Sequence, residues 1–130
     1  MNKLIISILG LFLIAGCTAK KDIVKIEDHP GINDSVQYEL IVDEPGYDSW
    51  VATNSKPEWY HEKEYYRNWN LLYITEFNYR VLHSNASHPF DEMINYDQQI
   101  DYGLDLEYRL YWYFKYIEYR YNTKLHITSR

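Results

Sequence analysis

Two helical runs in this chain each carry apolar side chains on two faces, and that doubling constrains the fold more than any other feature. The second run spans about Leu104 to Leu125. Within it Leu106, Leu110, Phe114, Ile117 and Tyr121 recur at spacings of three and four and so share one face. Tyr108, Trp112, Lys115 and Tyr119 form a second stripe nearly opposite. The first run, about Pro57 to Leu82, repeats the arrangement. Trp59, Tyr66, Tyr73, Phe77 and Val81 lie on one face, and Tyr65, Leu72 and Tyr79 on another. Two helices packed as an antiparallel hairpin bury one face each. The second faces then need cover from the strand, the 84–102 connection and the segment around Trp50, or they stay exposed as a partner-binding surface. Contiguous exposed apolar patches of several hundred Å² mark interaction sites, and Tyr and Trp dominate the energetics of interfaces. The candidate interaction surface is therefore Tyr65, Tyr79, Tyr108, Trp112 and Tyr119.

The remaining elements follow from local pattern. Val36 to Asp43 alternates partly at period two and is rich in β-formers, so it reads as a strand. Glu44-Pro45-Gly46 ends it with a turn, and Tyr47 to Asn54 suits one short helical turn. Ser55-Lys56-Pro57-Glu58 resembles a capping box for the first long helix. That helix is acidic early (Glu58, Glu62, Glu64) and basic late (Arg80, His83), which complements its dipole. Asn85 to Asp101 is a polar connection in which Met93-Ile94-Asn95-Tyr96 suits a second short strand. Gly103 precedes the last helix, again acidic early (Asp105, Glu107) and basic late (Arg120, Lys124). The expected fold is α+β, mainly α: one or two short strands packed with two long antiparallel helices. With fifteen tyrosines and four tryptophans in 130 residues, residues 36–126 form one globular domain, because disordered chains are poor in aromatics. Residues 127–130 are a tail.

The N-terminus carries a different signal. Lys3 is followed by an apolar run from Leu4 to Ile14, too short for a bilayer core of about 30 Å. Small residues Ala15 and Gly16 then precede Cys17. A basic start, an apolar run and a small-residue site describe a secretory signal. Leu13-Ile14-Ala15-Gly16-Cys17 resembles a bacterial lipobox, the cleavage and lipidation site of a type II signal peptide. The resemblance implies that residues 1–16 are removed by cleavage between Gly16 and Cys17. Cys17 would then carry diacylglycerol on its sulfur and a further acyl chain, palmitate for instance, on its amine. Thr18 after the cysteine, in place of Asp, favours the outer membrane. Cys17 is the one cysteine in the chain, so no disulfide is expected. Residues 18–35 are polar, broken by His29-Pro30-Gly31, and read as a flexible tether holding the domain roughly 20–25 Å from the membrane. Asp34-Ser35-Val36 resembles a short O-glycosylation motif of Bacteroidota.

Motifs that would carry chemistry are incomplete. His61-Glu62-Lys63-Glu64-Tyr65 begins like a helical zinc-protease motif, but Tyr65 stands where the second His is required. Asp97, Gln99, Asp101 and Asp105 fall at calcium-loop positions, yet Tyr102 and Tyr108 occupy the places of the turn Gly and the bidentate Glu. His83 and His88 lack a clear third zinc ligand. No Gly-rich phosphate loop and no Gly-x-Ser-x-Gly is present. No metal or cofactor is expected. The formal net charge of −6 without a basic cluster argues against nucleic-acid binding, which depends on neutralising phosphates.

The stretch Tyr38 to Trp50, the segment from Arg67-Asn68 to Asn78-Tyr79-Arg80, and Asp101-Tyr102-Gly103 followed by Leu110 to Phe114 resemble a family of small uncharacterised Bacteroidota lipoproteins. That resemblance implies a location and no activity. The expected function is a membrane-anchored envelope lipoprotein, a non-enzymatic module that binds another envelope protein. The alternative is glycan or peptidoglycan binding, with rings and amides such as Trp69, Asn70 and Tyr73 stacking on sugars. A hydrolase is a third possibility and would need a concave pocket with convergent titratable groups.

Overall fold

The computed structural model describes residues 24–83 and 87–126. The expected signal peptide, Gly16, Cys17, the first part of the tether and the 127–130 tail lie outside the described residues. Five elements follow in order: strands β1 (Val24–Pro30) and β2 (Val36–Val42), then helices α1 (Tyr47–Asn54), α2 (Lys63–His83) and α3 (Leu104–Arg120). The fold class is α+β, mainly α.

Helix α3 is the centre of the molecule. Leu106, Glu107, Leu110, Tyr111, Tyr113, Phe114, Tyr116 and Ile117 are all buried, so the helix is enclosed around most of its circumference, as a helix apolar on several faces must be. α2 covers one side, with Tyr73 against Phe114 (ring centroids 5.3 Å apart) and Phe77 against Phe114 (6.0 Å). α1 covers another: Tyr47 meets Tyr113 and Tyr116 edge-on at 6.0 and 5.9 Å. Leu40 of β2 is buried in the same core. The second face of α3 is thus roofed by a helix of two turns, longer than the single turn the sequence suggests.

The two long helices are parallel, not the antiparallel hairpin expected. Contacts advance together along both: Tyr66 with Tyr108, Tyr73 with Phe114, and Arg80 with Thr123. The connection between them runs back along α2. Phe90 packs on Phe77, Ile94 on Asn78, and Asp101 reaches Lys63 at the start of α2. A 21-residue helix is only about 30 Å long, while an extended segment of a dozen or more residues spans more than that. The connection is long enough to return to the start, and its composition hides this because it does so without a ladder. Met93 to Tyr96 forms no strand. Instead the Asn78 side-chain amide donates to the Ile94 carbonyl (2.9 Å) and accepts from the Ile94 N–H (2.8 Å), satisfying that residue as a strand partner would.

Residues 24–30 correct the tether. They pair antiparallel with β2 in the register Val24↔Val42 to Pro30↔Val36, with Val24 in the core. The turn closes through Gly31 N–H to Ser35 C=O at 2.7 Å, so close that a Cβ on Gly31 would stand 2.6 Å from that oxygen. Ser35, in the expected glycosylation motif, is exposed and its hydroxyl donates to Ile32 C=O. Two helix ends also differ. Ser55 N–H closes α1 on Val51 C=O (2.9 Å), so Ser55 ends one helix and does not cap the next. Glu58–Tyr60 is a 3₁₀ turn before α2 begins. α3 stops at Arg120, and Asn122 takes a left-handed conformation (φ 47°).

Candidate functional site

The five expected interaction residues do not form one patch. Tyr108 is half-buried; its hydroxyl donates to Lys56 C=O (2.6 Å) and lies 3.0 Å from the Ser55 hydroxyl, from which it can accept. Trp112 is half-buried beside Trp50 (6.2 Å). Both are covered by α1 and the segment after it. Tyr119 is 68% exposed and stacked on Trp50 at 5.5 Å. On α2, Tyr65 is half-buried, stacked on His61 at 3.5 Å and 6.0 Å from Tyr111. Tyr79 is 39% exposed and stacked on His83 at 4.0 Å.

What remains open on α2 is a narrower stripe. Asn68, Leu72, Thr75, Tyr79 and Leu82 alternate spacings of four and three, and all five are exposed, Leu72 at 58% and Leu82 at 67%. This is the period by which one helix packs along another. Leu82 closes the run that the sequence marks as helical, and α2 continues one residue further, through His83.

A second feature joins the Trp112–Lys115–Tyr119 stripe of α3 to Trp69 and Tyr73 of α2 and Trp50 of α1. Rings form a continuous arc from His126 through Trp69 (5.4 Å), Tyr73 (5.7 Å), Tyr111 (6.1 Å), Trp112 (5.3 Å) and Trp50 (6.2 Å) to Tyr119 (5.5 Å). Inside it the Lys115 ammonium lies over Tyr73 and Tyr111, 5.5 and 5.6 Å from their centroids. Glu118 is mostly buried, 3.9 Å from that ammonium, and accepts the Leu125 N–H at 3.1 Å. Lys115 and Glu118 form the seam between two hollows. One, of about 520 Å³, is lined by Trp50, Asn54, Trp112, Tyr119 and Asn122. The other, of about 300 Å³, is lined by Trp69, Tyr73 and His126. Lys124 borders both. Helical spacing could have grouped 112, 115 and 119. It could not have brought Trp50 and Trp69 to either side of them.

Two polar clusters hold the frame, one buried and one at the surface. Glu107 is fully buried and accepts from Tyr96 Oη (2.6 Å), Asn70 Nδ2 (2.8 Å) and Arg67 Nη1 (3.3 Å), joining α2, α3 and the returning connection. This removes Asn70 from any surface role. His88 sits between Asp91 (2.9 Å from Nδ1), Glu44 (3.3 Å from Nε2) and the Tyr121 hydroxyl, fastening the connection to the turn before α1 and to the end of α3. The acidic loop is likewise committed. Asp97 Oδ1 accepts Gln99 N–H, Asp101 Oδ1 accepts Gly103 N–H, and Asp101 Oδ2 pairs with Lys63 at 2.8 Å. Among the described residues no group of three or more His, Cys, Asp or Glu side chains converges as a metal site would.

Compared with known proteins, the chain matches the model of a family of unknown function, DUF6146, over residues 4–130. No curated protein and no solved structure matches it.

Proposed function

The chain belongs to the DUF6146 family, and we propose that it is a lipid-anchored, non-enzymatic protein of the cell envelope that docks on another envelope protein through the outer stripe of α2. The observation that carries this reading is the exposed row Asn68, Leu72, Thr75, Tyr79 and Leu82. Leu72 and Leu82 are large apolar side chains left in water, on a helix whose opposite face is fully used by the core. A partner helix laid along that row would bury them at about 25 cal/mol per Å² of apolar area, with the polar members at its edges fixing register.

The anchor in this reading is Cys17. Among the described residues no helix is long and apolar enough to cross a membrane, and two or three acyl chains suffice for stable attachment where one does not. Because β1 begins at Val24, seven residue steps separate it from Cys17. They reach at most about 25 Å. The domain would therefore work close to the bilayer, and its partner would lie in or on the same membrane.

Two variants of the tagged full-length protein test the two halves separately. Cys17→Ser is expected to lose labelling by radioactive palmitate and to leave the membrane fraction; unchanged labelling would overturn the anchor. A Leu72→Glu/Leu82→Glu variant is expected to keep its circular dichroism and its membrane attachment while losing a protein that co-purifies with the wild type. Retention of every co-purifying protein would overturn the docking face.

A further inference from the structure

We propose that the two hollows on either side of the Lys115–Glu118 seam form one binding site for an acidic oligosaccharide, distinct from the α2 stripe and independent of it. Four observations carry this. First, the aromatic arc places rings along both hollows, Trp50, Trp112 and Tyr119 beside one and Trp69, backed by the buried Tyr73, beside the other. The C–H faces of a pyranose pack on such rings as any apolar surface does, and flat rings give up little conformational freedom in doing so. Second, polar groups suited to hydroxyls sit between the platforms. Glu118 keeps acceptor capacity beyond its bond from Leu125. Asn54 spends one amide N–H on Trp50 C=O, leaving its Oδ1 as an acceptor, and Asn122 lines the same hollow. Aromatic walls with fixed polar groups between them are the elements of which small-ligand sites are built.

Third, the size fits. Hollows of about 520 and 300 Å³ that share Lys115, Glu118 and Lys124 accommodate consecutive sugar rings laid across the seam, not a single small ion. Fourth, the charge is locally reversed. In a chain of net charge −6, this cleft presents two ammonium groups, Lys115 and Lys124, to one carboxylate, Glu118. A sugar carboxylate bridging Lys115 and Lys124 would meet local positive charge on a chain whose net charge is negative. A neutral glycan would leave that asymmetry unused.

The test uses the full-length protein in detergent micelles and its own fluorescence, because three of its four tryptophans (Trp50, Trp69 and Trp112) line the cleft. Tetragalacturonic acid is the probe, maltotetraose the neutral control and citrate the acid without rings. The expected result is a saturable emission change with tetragalacturonate, at least about tenfold weaker binding of maltotetraose, and no change with citrate. Tyr119→Ala, at an exposed position, and Lys115→Gln/Lys124→Gln are each expected to weaken tetragalacturonate binding by about tenfold or more, as loss of a stacking platform or of two partly exposed charge contacts would, with the thermal midpoint checked in each. Absence of any saturable change, equal binding of maltotetraose, a response to citrate alone, or full affinity in both variants would overturn the proposal. None of these readouts depends on Leu72, Leu82 or Cys17, so the α2 docking reading stands or falls separately.

Discussion

Tyr47, Tyr66, Tyr108, Tyr116 and Tyr121 each pack a ring into or beside the core; Tyr47 sends its hydroxyl to α3, and the other four send theirs to segments between the main elements. Tyr47 donates to Arg109 C=O (2.9 Å), Tyr66 to Glu58 C=O (3.1 Å), Tyr116 to Pro45 C=O (2.8 Å) and Tyr121 to Glu44 Oε1 (2.6 Å). This is why the chain uses tyrosine where phenylalanine would fill the same space: irregular segments between helices need donors to satisfy their carbonyls. Tyr47→Phe is expected to cost about 1 kcal/mol in urea unfolding, the worth of one such bond. The larger loss belongs to Glu107, whose truncation to Ala takes a buried carboxylate from Arg67, Asn70 and Tyr96 at once; about 3 kcal/mol is expected by the same measurement. Burial also pushes the Tyr47 phenol up to about 12 and raises those of Tyr73, Tyr111 and Tyr113, against about 10 in an unfolded chain. The folded state holds these protons longer, so the stabilisation is complete below pH 10 and is lost as pH rises from 10 through 12, by about 1.4 kcal/mol per pH unit for each such tyrosine. Urea midpoints should be level up to about pH 10 and then fall; a level curve to pH 12 would show that these hydroxyls are not buried. None of the hydroxyl partners is legible in sequence, since no periodic pattern links a tyrosine to a carbonyl or carboxylate between 8 and 77 residues away.

At the scale of elements, the apolar periodicity of α2 and α3 was enough to locate both helices, because both faces of α3 and one face of α2 are buried in a single core. Their relative direction was not legible. It depends on the path of the 84–103 connection, which is fixed by tertiary bonds such as the Asn78–Ile94 pair and by no repeating pattern of its own. β1 was missed for a related reason: Val24-Lys25-Ile26-Glu27 offers two apolar positions, and it becomes a strand by pairing with β2. Hydrogen exchange distinguishes a strand from a tether. The β1 amides that bond to β2 are expected to exchange at least about tenfold more slowly than those of an unstructured peptide, and exchange at the peptide rate would restore the tether. Gly46 is the second element-scale prediction. It holds φ 88° at the start of α1, where an added Cβ meets only Tyr116 Oη at an ordinary 3.6 Å. Gly46→Ala should therefore cost about 1–2 kcal/mol through backbone conformation alone, read as a lower thermal midpoint with an unchanged spectrum.

The whole molecule is a short-reach device in this account. On the proposed reading, a lipid at Cys17, seven residue steps and a hairpin would bring the aromatic core to the membrane surface, with one helical row of α2 turned outward. The doubled apolar faces were visible in the sequence, but which of them stayed open was not. α1 covers Tyr108 and Trp112, while among the described residues the outer row of α2, the ring of Tyr119 and, ahead of α2, Trp59 stay exposed. Site-specific photo-crosslinking in cells tests the docking claim most directly. A photoreactive side chain at Leu72 of the full-length, tagged protein is expected to capture one dominant envelope protein. The same group at exposed Glu39, on the hairpin, is expected not to capture it. Capture of the same protein from both positions, or of none from Leu72, would contradict a partner seated on the outer stripe of α2.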